Sequence, residues 1–161
     1  MTSAFRDQQP RRADVLPLEG AIERGPGEEA PEKALKQVSV IRRAAQQRMT
    51  ASWGLPGALT DDAVLLLGEL LNNAVLHGRG RVVVKVRYCD SVLSVIVSDQ
   101  SPVPPRSGRA GPDARTGRGW DIAQAVADEH QGTLVIMPHR TGKVIMCVLP
   151  VPVQREAARC A

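Results

Sequence analysis

The run AVLLLGELLNNAVLH at positions 63–77 is apolar around nearly its whole helical circumference, and a helix of that kind is stable only when other elements surround it. Thr60-Asp61-Asp62 ahead of it supply an acidic cap region, and Gly78 behind it supplies a left-handed stop. The pattern predicts a central core helix, against which the rest of the chain must pack. From Pro31 to about Ser52, apolar Leu35, Val38, Val40, Ile41, Ala44, Ala45 and Met49 recur at three-to-four spacing. That spacing predicts an amphipathic helix ending near Trp53-Gly54-Leu55-Pro56. RVVVKVRY (81–88) and VLSVIVSD (92–99) are β-rich runs joined by Cys89-Asp90-Ser91, a connection short enough for a hairpin. Helical spacing returns over 119–130, and two more strands are expected at 133–137 and 143–149 around the turn from Pro138 to Gly142. The order of elements predicts an α+β fold, a two-layer sandwich with helices on one face of an antiparallel or mixed sheet.

Residues 1–33 mix Pro, Gly, Arg and Glu without apolar periodicity and read as a disordered N-terminal tail. Residues 34–150 then form one domain and 151–161 a C-terminal tail, a division that suits the single core a chain of 161 residues can build. Hydrophobic and charged contents of 43% and 24% exclude collagen-like, wholly disordered and disulfide-scaffold classes. No apolar run nears the roughly 20 residues that span a bilayer, and the charged start MTSAFRDQQPRRAD lacks the apolar stretch of a secretory signal. A cytoplasmic protein without a membrane partner is expected. Cys89, Cys147 and Cys160 lack CxxC spacing and read as reduced thiols. The formal charge of +4 is uneven: residues 1–33 hold 5 basic and 7 acidic groups, the remainder 16 and 10. That basic excess raises nucleic acid as a partner, but Phe5, Trp53, Tyr88 and Trp120 form no stacking series, so no direct nucleic-acid binding is expected.

Three features carry chemistry. Glu69 and Asn73 lie four residues apart, hence on one face of the central helix and one turn apart. Two polar groups in so apolar a helix either face solvent or meet a partner that satisfies them. A metal-bound phosphate is one such partner, with Asn as a neutral oxygen ligand and Glu as proton acceptor. Asp99 ends an apolar strand, where a carboxylate can accept two donors, an adenine amino group among them, or can simply begin a turn. The proline- and glycine-rich segment 100–118 carries Arg106, Arg109, Arg115 and Arg118 against Asp113 and ends in Gly117-Arg118-Gly119 immediately before a helix. Such a loop is either a phosphate lid, using free N–H groups at the helix start, or a linker whose arginines are solvated. Neither GxxxxGK[ST] nor a GxGxxG between strand and helix is present, which argues against P-loop and Rossmann sites.

Taken in order, ELLNNAVLHG (69–78), VSDQSP (97–102) and TGRGWDIAQAVAD (116–128), followed by GKVIMCVL (142–149), resemble the N, G1 and G2 boxes of the GHKL ATPase superfamily and its Bergerat fold. The chain is most similar to the anti-sigma-factor serine kinases and related small regulators of actinobacteria, a likeness that includes Trp53-Gly54-Leu55 and covers about residues 34–150. The resemblance implies ATP and Mg²⁺ as cofactors, Glu69 as the activating carboxylate and Asn73 as the Mg²⁺ ligand. It implies Asp99 as the adenine-binding acid and Gly117, Arg118 and Gly119 as the phosphate-binding end of the lid. Asn72 takes a lesser role and His77 a structural one. The chain departs from the superfamily after Asp99, where Ser101 and Val103 replace G1 glycines. The implied activity is transfer of a phosphoryl group to a serine of an anti-anti-sigma protein by a kinase that also binds a sigma factor. The rival is a non-catalytic interaction regulator on the same fold, with or without nucleotide sensing. A homodimer stays open under either reading.

Overall fold

Period-two alternation decides which side of each strand meets the helices. The computed structural model of the chain describes residues 17–23, 32–105 and 118–152. β1 (Leu18–Ile22), β2 (Val82–Cys89), β3 (Val92–Asp99), β4 (Thr133–His139) and β5 (Gly142–Pro150) form one antiparallel sheet in the order β1-β2-β3-β5-β4. Val82, Val84 and Val86 of β2, Leu93, Val95 and Val97 of β3, and Ile145, Cys147 and Leu149 of β5 are all buried on one face. α1 (Glu32–Gln47), α2 (Gly57–His77) and α3 (Gly119–Glu129) cover that face, with α2 packed against both other helices and against β2 and β3. The architecture is the expected α+β sandwich, and its sheet is wholly antiparallel.

α2 is the core helix the sequence predicts. Leu66, Leu67, Leu70, Leu71, Ala74 and Val75 are at most 2% exposed, and each large side chain contributes about 1.5–3 kcal/mol by leaving water. Its ends differ from expectation. The helix starts at Gly57 with Pro56 as N-cap, so Thr60 sits in the first turn, its amide donating to the Pro56 carbonyl at 2.9 Å. Gly78 is extended (φ −77°) rather than left-handed. What demands glycine there is space, because a Cβ would lie 2.8 Å from Asp99 Cγ and against the Ala74 carbonyl. The left-handed residue is Gly80 (φ +61°). α1 passes into a π-helical turn over Arg48–Ser52 before reaching Trp53. The β2–β3 hairpin turns through Asp90 (φ 50°) and Ser91 (φ 58°), the two positive angles of a type I′ turn.

β1 corrects the N-terminal boundary. Residues 18–22 lie inside the segment read as a tail, yet they pair with Val82–Val86, and Ile22 is fully buried. LEGAI alternates inward Leu18, Gly20 and Ile22 with outward Glu19 and Ala21, and Gly20 lets Val84 and Ile41 close over it. The edge of β2 would otherwise present unpaired backbone groups, and five residues suffice to cover it. Deleting residues 1–23 is therefore expected to lower stability by roughly 2–3 kcal/mol, the transfer free energy of one buried isoleucine. A urea midpoint unchanged by the deletion would show that β1 contributes nothing.

Burial also acts on a thiol. Cys147, fully enclosed on β5, has its thiol pushed up from 9.0 to about 11 because the thiolate would lose its hydration. The folded state then holds a proton that the unfolded state releases above pH 9. Stability from this group is intact below that pH and declines by about 1.4 kcal/mol per pH unit up to about pH 11. Urea titrations of the parent and Cys147→Ala between pH 8 and 11 should diverge with that slope.

Candidate functional site

Glu69 and Asn73 sit on the half-buried face of α2, one turn apart. Neither side chain has a hydrogen-bond or ion-pair partner among the described residues. The fold brings Glu69 to Gly119 at the start of α3, fifty positions on in the chain. A Cβ on Gly119 would lie 2.6 Å from Glu69 Oε2, so only glycine lets the α3 backbone come this close. Arg118, the exposed N-cap of α3, makes no side-chain capping bond, and the Glu69 carboxylate lies beside the first N–H groups and the positive end of the helix. Glu69 and the Gly119 backbone thus meet, with Asn73 one turn along α2 and the backbone of Arg118 next to Gly119. Gly117 and the lid residues Arg106, Arg109 and Arg115 lie outside the described residues. Asn72 is half-buried beside this face, and His77 is exposed in the last turn of α2.

Asp99 lies at the C-terminal end of α2, beside Gly78 and about 13 Å along the helix from Glu69 at 1.5 Å per residue. It is 5% exposed, and its carboxylate is engaged. Lys143 Nζ lies 2.8 Å from Oδ2 and 3.0 Å from Oδ1, the Ser101 amide donates to Oδ1 at 2.7 Å, and Lys143 Nζ also donates to the Ser101 carbonyl at 3.2 Å. Lys143 itself is 2% exposed. Register dictates the pairing, because Asp99 and Lys143 are directly opposite on β3 and β5 and both point to the buried face. Gly78 and Gly142 wall the group closely, a Cβ on Gly142 running into the Asp99 carbonyl. Ser101, where a G1 glycine was expected, is buried and supplies two of these backbone contacts, whereas Val103 is exposed.

Lys143 is the residue the motif reading passed over. Its signal was a lone cation in the otherwise apolar run GKVIMCVL, at a position whose parity puts it inward with Ile145 and Cys147. Among the described residues no group of three or more His, Cys, Asp or Glu is arranged to hold a metal ion. A cation held by one Asn would take its other ligands from phosphate and water, as Mg²⁺ commonly does. No helix among the described residues is long and apolar enough to cross a membrane.

A family model described as a histidine kinase-like ATPase domain matches residues 32–146, which include α1, α2, α3 and every described site residue. Among solved structures, the histidine kinase domain of the Erythrobacter litoralis EL346 blue-light activated histidine kinase is 19% identical with a TM-score of 0.48, covering 73% of this chain and 60% of that one. The histidine kinase domain of the E. coli osmosensor EnvZ is 28% identical with a TM-score of 0.44, covering 60% and 68%. The Acinetobacter baumannii histidine kinase AdeS is 13% identical with a TM-score of 0.47, covering 81% and 88%. The chain therefore spans less than two thirds of the first of these structures. No curated protein matches it. With the family model spanning residues 32–146, most of the chain, the chain belongs to the histidine kinase-like ATPase domain family.

Proposed function

We propose that the chain is an ATP-binding regulatory protein of the anti-sigma-factor kinase type, which binds a sigma factor and phosphorylates a serine of an anti-anti-sigma partner. The observation that carries this reading is the pair Glu69 and Asn73, half-buried and unpartnered among the described residues, with Glu69 set against the α3 N-terminus. That end of the face fits a metal-bound triphosphate: a neutral oxygen ligand, a carboxylate and helix N–H groups stand together. Bound Mg²⁺·ATP supplies the phosphoryl group and the cation that offsets its charge. Glu69 accepts the serine hydroxyl proton at a carboxylate oxygen, and Asn73 orients the metal end through its amide oxygen. The adenine end does not fit in the same way, since the acceptor oxygens of Asp99 are held by Lys143 and Ser101.

That mismatch favours one rival, a non-catalytic interaction regulator on the same fold. Incubation of the full chain with Mg²⁺, radiolabelled ATP and the anti-anti-sigma proteins of the same genome distinguishes the two. The kinase reading expects phosphoserine on one partner, lost with Asn73→Ala. Sigma-factor binding without any labelled product would favour the rival.

A further inference from the structure

We infer that Lys143 takes the place on Asp99 that an adenine amino group would need, so that nucleotide is held at its phosphate end and its base goes unread. The inference rests on the nucleotide reading above and fixes the ligand class of that site as a triphosphate with little base preference.

The donor and acceptor count carries the argument. An ammonium has three N–H donors, and Lys143 directs them at Asp99 Oδ1, Asp99 Oδ2 and the Ser101 carbonyl, which exhausts them. On the carboxylate, Oδ1 already accepts from both Ser101 and Lys143, and Oδ2 accepts from Lys143. The acceptor capacity left on Oδ2 faces the Gly78 backbone, where even a Cβ would lie 3.0 Å from that oxygen. An incoming amino group therefore has to displace either a fully paired, buried lysine or the end of α2. Lys143 has no solvent route to retreat into, being 2% exposed and fixed opposite Asp99 by the β3–β5 register. The phosphate end, by contrast, offers Glu69 and Asn73 without partners among the described residues, beside the α3 N-terminus.

Base discrimination in the full-length protein tests this. Calorimetric titration with Mg·ATP, Mg·GTP and Mg·tripolyphosphate should give affinities within about 3-fold of one another, all weakened by Asn73→Ala. In Lys143→Thr the freed carboxylate should favour ATP over GTP by about 10-fold or more, a preference the parent lacks. Thermal melting establishes that the variant is folded. Should it not fold, the three-ligand comparison on the parent decides alone. A parent that prefers ATP over GTP and tripolyphosphate by 10-fold or more overturns the inference and leaves the nucleotide reading standing. A folded Lys143→Thr that still treats ATP and GTP alike overturns the role of Lys143. Failure of all three ligands to bind either protein overturns the nucleotide reading itself, and the inference with it.

Discussion

Asp99→Ala should destabilise the protein by about 3–5 kcal/mol, because it strands the Lys143 ammonium in the interior without a counter-charge. Lys143 is 2% exposed and its partners are Asp99 and one carbonyl, so its burial gives solvent little access to relieve the cost. Lys143→Met should cost a similar amount by stranding the carboxylate, which would keep only the Ser101 amide. The double change Asp99→Leu, Lys143→Met should recover most of the loss, since a buried ion pair contributes little net stability over apolar residues of similar volume. Urea unfolding of the four proteins gives the coupling directly. Single variants within 1 kcal/mol of the parent would mean that the pair is more hydrated than its burial indicates, and that Lys143 is free to leave Asp99.

The layered fold was readable because the sheet and α2 obey simple periods. Val82, Val84 and Val86 alternate inward as RVVVKVRY predicts, and α2 is buried along the length its apolar run implies, with Leu65 and Leu76 left exposed. β1 was not readable, since LEGAI is only five residues long, contains a glycine and lies among charged and proline-rich neighbours. Its order derives from the exposed edge of β2 and from Ile41 above it, both of which are tertiary facts. The Gly78 stop was misread for a related reason: sequence suggests a glycine's backbone freedom, whereas what matters here is the approach of Asp99 from a strand more than twenty positions away. Motif spacing singled out Glu69, Asn73 and Gly119, of which the structure brings Glu69 and Gly119 together, with Asn73 one turn along α2. It could not find the state of Asp99, which depends on the pairing of β3 with β5.

Glu69→Gln should lower phosphotransfer by about 10²- to 10⁴-fold while changing nucleotide affinity by less than about 3-fold. Glutamine keeps the volume that packs against Gly119 and keeps one acceptor oxygen, but it cannot take the serine proton. The change also removes a negative charge beside the α3 N-terminus, which should cost only about 0.3–1 kcal/mol of stability. Gly119→Ala offers an independent approach to the same carboxylate. Its added Cβ would lie 2.6 Å from Glu69 Oε2, so the side chain must turn away, and transfer should drop although the base is still present. Asn73→Ala differs from both, since losing a metal ligand should weaken nucleotide binding as well as turnover. Single-turnover transfer rates and equilibrium titrations on the three variants separate these effects. If Glu69→Gln transfers phosphate at the parent rate, the proton acceptor lies elsewhere. If the parent itself transfers none, the half-buried pair on α2 serves nucleotide binding alone, and regulation on this fold proceeds through contact rather than chemistry.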